Sequence, residues 1–266
     1  MLNFKEKPII GMVHVRPLPG SPNFSGKIDE VVDVALRDAK ALEKGGVDAI
    51  LVENFWDIPY RKEPNDPETI ASMTLVVQKI KETVEIPVGV NLLRNGAIQA
   101  LAIAYVTNSS FIRVNILTEA YVTDQGIIEG RADELSRYKK ALGAENIAVL
   151  ADVHVKYAQP LFKRSLGESA KDLVERGKAD AVIVSGRRTG TPPSLEELRE
   201  VKNAVRAPVI IGSGLNLDNV KDLLIAADGA IVGSYFKEDG DISKPVDANR
   251  VLKFMEAVRK IRRGLL

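Results

Sequence analysis

Eight short runs of apolar, β-branched residues recur along the chain, and most are followed by a segment with helical spacing. The runs are PIIGMVHV (8–15), VDAILVEN (47–54), PVGVNLL (87–93), FIRVNIL (111–117), NIAVLADVHV (146–155), ADAVIVSG (179–186), APVIIGSG (207–214) and ADGAIVGS (227–234). Between them apolar residues fall three and four apart, as from Ile28 to Leu42 and from Asp133 to Leu142, and Val246 to Ile261 reads as the last helix. Ser194 and Glu197 have capping-box spacing just after Pro192 and Pro193. Strands that alternate with helices predict a parallel sheet, either open and doubly wound or closed. The count closes at eight in about 250 residues, the size of a barrel. No Gly-rich dinucleotide fingerprint follows the first run. The expectation is therefore an α/β protein with a (β/α)8 TIM barrel fold. One domain covers residues 1–266, since no linker or low-complexity tract divides the chain.

Composition narrows the functions open to such a barrel. Lys and Arg number 37 against 36 Asp and Glu, so no electrostatic attraction to nucleic acid or to an anionic membrane is expected. The absence of cysteine excludes disulfides, thiolate metal sites, iron–sulfur clusters and a thiol nucleophile. No run approaches the ~18 apolar residues of a membrane span, and MLNFKEKPIIGMVHV lacks the pattern of a signal peptide. A cytoplasmic location is expected. Four Gln beside many Lys and Glu give a thermophile-like composition. Barrels of this size are often dimers or larger, so a homo-oligomer is a candidate state by analogy alone.

Loop lengths orient the barrel. Helix-to-strand connections are short, at 44–46, 108–110 and 143–146. Several strand-to-helix connections are long: Arg16 to Lys27, Phe55 to Pro67, Leu117 to Gly130 and Tyr235 to Pro245. Barrel enzymes build their sites from loops at the C-terminal ends of the strands. The polar residues gather at those ends. In LADVHVKYAQP, Asp152, His154 and Lys156 alternate with Val153 and Val155, so period two puts all three on the inward face. The same alternation turns His14 inward on the first strand, Arg113 and Asn115 on the fourth, and leaves Asn91 at the end of the third. Glu53 and Asn54 end the second strand, their facing left open. Buried ion pairs also fill barrel interiors without any functional role. It is the convergence of several polar strand ends that points to a site. Lys156 has three readings: a Schiff-base amine, a phosphate ligand, or a partner of Asp152 or Glu53.

Glycine loops follow the seventh and eighth strands, as IIGSGLN (210–216), which is read as opening a helix, and AIVGS (230–234). Barrels frequently hold phosphate between these two loops. Gly212, Ser213, Gly214, Gly233 and Ser234 are the phosphate candidates, against the ordinary reading of turn glycines. SGRRTGTPPS (185–194) adds Ser185, Arg187, Arg188 and Thr189 as candidate anion contacts.

The blocks GMVHVRPLPGSP (11–22), DAILVENFWDIPY (48–60), GVNLLRNG (89–96) and FIRVNILTEAYVTDQGIIEG (111–130) resemble the BtpA/SgcQ family, as do ADVHVKYAQPL (151–161), DAVIVSGRRTGTP (180–192), PVIIGSG (208–214) and DGAIVGSYFK (228–237). The resemblance covers nearly the whole chain. It implies a barrel of the ribulose-phosphate-binding type. It also brings the label "photosystem I biogenesis", attached to a cyanobacterial member described as a peripheral thylakoid protein, and peripheral membrane association follows from that label alone. Within these blocks Asp124 and Gln125 lie on the long loop after the fourth strand, either as a lid or as a simple turn.

Three functions fit these residues. The first is an enzyme acting on a small phosphorylated metabolite, a sugar phosphate or phosphoribosyl compound, by isomerisation, lyase chemistry or glycosidic cleavage. His14, Glu53, Asn91, Arg113, Asn115, Asp152 and Lys156 would carry the chemistry. The second makes that enzyme dependent on a divalent metal held by Glu53, Asp152 and His154, with His14 as a further ligand. The third is a non-enzymatic assembly factor, docking a partner through the loop aromatics Phe24, Phe55, Trp56 and Tyr60.

Overall fold

The computed structural model describes residues 6–264. Eight parallel strands close into a barrel: β1 (Ile9–His14), β2 (Ala49–Glu53), β3 (Val88–Asn91), β4 (Phe111–Val114), β7 (Ala148–Val153), β9 (Ala181–Val184), β10 (Val209–Ile211) and β11 (Gly229–Val232). Closure is made by β1, which pairs with β2 on one side and β11 on the other. The helices α1 (Ile28–Gly45), α2 (Pro67–Lys81), α3 (Ala97–Val106), α4 (Ala132–Leu142), α5 (Leu166–Glu175), α6 (Leu195–Ala204), α7 (Val220–Ile225) and α8 (Ala248–Arg262) alternate with the strands. The capping box of Ser194 and Glu197 opens α6, and a second one, Ser165 with Glu168, opens α5.

Period two sorts the strand residues into two cores. Ile10, Met12, Leu51, Phe111, Leu150, Ile183, Ile210 and Ile231 fill the barrel interior. Their neighbours Ile9, Val13, Ile50, Val52, Ile112, Val149, Val182 and Val209 face the helices in a larger outer core. The interior core stops short of the C-terminal ends, where His14, Glu53, Asn91, Arg113 and Asp152 continue the inward rows and are all buried.

Two elements depart from the expected march. The long loop after β4 contains a hairpin, β5 (Ala120–Thr123) with β6 (Gly126–Glu129), and β5 also pairs with β8 (Ala158–Pro160) from the loop after β7. This antiparallel sheet of three strands has its own small core of Ile116, Tyr121, Ile128 and Val155. After β10 the chain does not enter a helix at once. A turn knitted by Asn216 and Asn219 precedes α7, which is only 6 residues long. The expected helix N-terminus directly behind the seventh-strand glycines is therefore replaced by a loop.

Candidate active site at the barrel mouth

One cleft at the C-terminal end of the barrel is lined by His14, Glu53, Phe55, Arg113 and Lys156 together with Thr189, Gly212, Ser213, Gly214, Gly233 and Ser234. The ends of β1, β2 and β4 and the segment just past β7 supply the ionisable groups, and the loops after β9, β10 and β11 supply most of the rest.

Arg113 is the hub. Its Nε and Nη2 donate to the two oxygens of Asp152, each at 2.8 Å, and its Nη1 lies 3.9 Å from Glu53 Oε2. Asn115 Nδ2 donates to the same carboxylate at 3.1 Å, and Asn91 Nδ2 donates to Glu53. Burial works against the guanidinium charge, yet the Asp152 and Glu53 carboxylates more than offset it and raise the Arg113 pKa. Asp152 is thus held in a bidentate buried pair, the strong form of an Arg–carboxylate contact. Glu53 points inward, while Asn54 turns the other way, donating to Asp57 at 2.9 Å and accepting from the Leu93 N–H at 2.7 Å.

His14 is buried, with its ring edge-on to Phe55 at 4.7 Å between centroids. Burial, followed by the charges of Lys237, Lys156 and Arg113, pushes its pKa well below the ordinary imidazole value. It is a neutral ring at physiological pH, suited to donate or accept a hydrogen bond rather than to carry charge. Lys156 also opens on the cleft. Burial first, and then the nearby Arg113, lower its pKa to about 8.

The three groups of LADVHVKYAQP are not side by side. β7 ends at Val153, and His154 takes a left-handed backbone with φ 47. That break in period two sends the His154 ring away from the mouth, where its Nε2 meets Ser169 of α5 at 3.0 Å. His154 is therefore corrected to a position behind the hairpin sheet, near Tyr121. The metal set of Glu53, Asp152 and His154 falls with it. Among the described residues no group of three His, Asp or Glu comes together to hold a metal ion.

The glycine loops meet in the cleft, with some roles different from those expected. The Ser213 hydroxyl donates to the Thr191 carbonyl at 2.8 Å and so ties the loop after β10 to the loop after β9. Gly214 has φ 77, and a Cβ there would lie 2.1 Å from the Pro192 nitrogen. A Cβ on Gly233 would lie 2.9 Å from His14 Cε1. These glycines are required by neighbouring groups of the protein itself. Thr189 lines the cleft and is linked to Tyr157 through its N–H at 3.2 Å. Arg187 is not in the mouth: with Arg188 it lines a neighbouring cleft beside His154 and Glu197. Asp124 and Gln125 form the tip of the β5–β6 hairpin. The Asp124 charge still acts on Arg94, whose Nη2 holds the Lys156 carbonyl at 2.5 Å. Sequence reasoning missed that buried arginine, which lies inside the GVNLLRNG block without a strand position to flag it.

The family model described as the BtpA family matches residues 5–260. The chain belongs to the BtpA family. It is 48% identical over 254 residues to "Photosystem I biogenesis protein BtpA" of Synechocystis sp., covering 95% of this chain and 88% of that one. It is also 48% identical over 259 residues to an uncharacterised protein of Methanocaldococcus jannaschii, covering 97% and 98% of the two chains. Among solved structures it is similar to phosphoribosyl anthranilate isomerase from Thermus thermophilus, with TM-score 0.57 and 12% identity over 95% of this chain and 100% of the other. It is equally similar to the GGGPS of Thermoplasma volcanium, with TM-score 0.57 and 18% identity over 98% and 94%. At such identities these likenesses establish the barrel alone. The BtpA-family blocks carry His14, Glu53, Asn91, Arg113, Asn115, Asp152 and Lys156, and of these His14, Glu53, Arg113 and Lys156 line the cleft directly.

Proposed function

We propose that this BtpA-family protein is an enzyme acting on a small phosphorylated metabolite, a sugar phosphate or a phosphoribosyl compound. The phosphate would lie against the loops after β10 and β11, with the reacting carbons over Glu53, Arg113 and Lys156. One observation carries the reading: a single cleft is lined both by the glycine loops and by ionisable strand ends. The amides of Gly214 and Gly233, in the loops after β10 and β11, are not engaged by loop or turn backbone acceptors among the described residues, which makes them candidate donors to an anion. Neutral His14 and the cations Arg113 and Lys156 supply a hydrogen-bonding group and positive charge for a developing oxyanion, and Glu53 supplies a base. Isomerisation, lyase chemistry and glycosidic cleavage all use such parts.

The test is a thermal-shift series with inorganic phosphate, ribose 5-phosphate, ribulose 5-phosphate and phosphoribosyl compounds. A ligand at a hundredfold excess over its Kd stabilises by about 2.7 kcal/mol, which raises Tm by roughly 5–10 °C in a chain of this size. Gly233→Val, which drives a side chain into His14, should abolish the shift. If no phosphate compound moves Tm, the glycine loops serve packing only. The assembly-factor reading would then gain ground, with a surface other than the one expected. Phe55 meets His14 edge-on and lines the cleft, and Tyr60 is tied to it by donating to the Phe55 carbonyl at 2.6 Å, so Phe55 belongs to the mouth. The exposed apolar residues Val122, Ile127, Leu161 and Phe162 lie instead on or just beyond the hairpin sheet.

A further inference from the structure

The segment from His154 to Tyr157 is bent in an unusual way. His154 and Tyr157 both adopt left-handed backbone, with φ 47 and φ 56, although neither is glycine. Such conformations are unfavourable for a residue with a Cβ and persist where surrounding structure holds them. Here the hold is visible. Val155 is buried under the hairpin sheet, and the Lys156 carbonyl accepts from the buried Arg94. What the bend delivers is one amine to the barrel mouth.

That amine has no counterion. Asp152 is taken by both arms of Arg113 and by Asn115, and Glu53 is taken by Asn91 and the third guanidinium nitrogen. Among the described residues no carboxylate lies within ion-pair distance of Lys156 Nζ. Its charged neighbours are Arg113, then Asp152 and Glu53, then Arg94; the two arginines bear on it in the same direction as burial, and the two carboxylates act against it from beyond ion-pair distance. A lysine desolvated beside other cations is the usual arrangement of a nucleophilic amine. Across the same cleft stand the loops after β10 and β11.

We propose that Lys156 is a nucleophile that forms an imine with the carbonyl carbon of a phosphorylated aldehyde or ketone. The phosphorylated part of this assignment rests on the function proposed above. In the step, the neutral amine adds to the carbonyl carbon, a C–N bond forms, and the carbonyl electron pair moves to oxygen, which takes a proton. The carbinolamine then loses that oxygen as water, leaving a protonated imine, so that ammonium and carbonyl give iminium and water with no oxidant or reductant. Glu53, which lines the same cleft and keeps an oxygen beyond its contact with Asn91, is assigned as the base that passes the proton. The iminium draws electrons from an adjacent C–C or C–H bond, which selects aldol-type cleavage or isomerisation over glycosidic cleavage.

Two measurements test this on the full chain. In the first, the protein is incubated with dihydroxyacetone phosphate, ribose 5-phosphate or ribulose 5-phosphate, reduced with borohydride and mapped by peptide mass. Lys156 should carry the reduced adduct about tenfold above any surface lysine, as the lowered pKa leaves far more of it neutral. Lys156→Arg, which keeps the cation, should lose the adduct. In the second, reductive methylation with formaldehyde is followed against pH, and Lys156 should label with a midpoint roughly two units below surface lysines. A methylation profile like that of surface lysines, or no Lys156 adduct with any of the three sugars, overturns the imine. A Tm shift with inorganic phosphate, measured on wild type and Lys156→Arg, reads the phosphate site separately. A phosphate shift without an adduct leaves the phosphate reading and removes the imine. An adduct without a phosphate shift does the reverse.

Discussion

At the residue scale the informative pair is Asp152 and Lys156, four positions apart and both turned toward the barrel mouth by different means: Lys156 lines the cleft, and Asp152 lies beneath it, holding Arg113. Asp152 gets there by strand alternation, which the sequence displays. Lys156 gets there past the end of β7, through backbone turns at His154 and Tyr157 that carry no glycine to announce them. Histidine is among the residues tolerated in left-handed backbone, but that tolerance is too general to predict a break. The alternation rule therefore placed Lys156 in the mouth for the wrong reason and misplaced His154. The lowered Lys156 pKa has a cost in stability. In the unfolded chain the amine titrates near 10.5 and in the native protein near 8. Below about pH 8 both states are protonated and the native state bears the full penalty; above about pH 10.5 both are neutral and the penalty is gone. Lys156→Met should therefore stabilise the protein at neutral pH, by on the order of 1–3 kcal/mol. That gain should shrink as pH rises through the interval from about 8 to 10.5. Urea unfolding of both proteins across that range measures it, and a constant gain would mean the ammonium is not strained in the native state.

At the element scale the barrel strands and the last helix were legible because each carries its own period. The hairpin over the mouth was not. Tyr121 and Val122 alternate inside and outside, as do Ile128 and Ile127, but over only 4 residues on each side. Its turn lacks Asn-Gly: Asp124 and Gln125 join Thr123 to its partner Gly126, and the left-handed backbone falls on that glycine, at φ 89, after the two turn residues. The loop after β11 shows how an element is held where sequence gives no period at all. Lys237 is fully buried and donates to Asp38 of α1 at 2.6 Å, while the other Asp38 oxygen accepts from the Val246 N–H at 3.0 Å. This clasp fixes both ends of the loop that carries Ile242 to the cleft. Breaking one partner leaves a buried charge unpaired, so Lys237→Met should cost about 3–5 kcal/mol. Asp38→Leu with Lys237→Met should recover part of that loss, because no lone charge remains. Denaturant midpoints of the two single variants and the double complete the cycle, and strict additivity would show that the ion pair does not couple the loop to α1.

At the scale of the whole molecule, charge balance isolates the histidines. With 37 basic and 36 acidic side chains, the native state carries no large net charge near neutrality to drive acid unfolding. Carboxylates titrate near pH 4, well below the imidazole range. The chain has 2 histidines, and both have lowered pKa values by burial, His14 strongly and His154 less so. A histidine held neutral in the native state binds its proton only after unfolding as pH drops below about 6.5. Stability is therefore lost as pH falls, with a slope of up to about 1.4 kcal/mol per unit for a fully protected ring. For His14, acidification from about pH 7 to about pH 5 should lower stability, because burial and the neighbouring cations hold its ring neutral in the native state. His154 is half-buried and hydrogen-bonded to Ser169, so its share should be smaller. Urea midpoints at those two pH values should thus separate in the wild type. They should draw together in His14→Gln, and further in His14→Gln with His154→Gln, whatever the absolute stability of those variants. An undiminished separation in the double variant would assign the acid limb to carboxylates. It would also mean that His14 accepts a proton in place, and the mouth would then hold a cationic donor where a neutral ring is inferred.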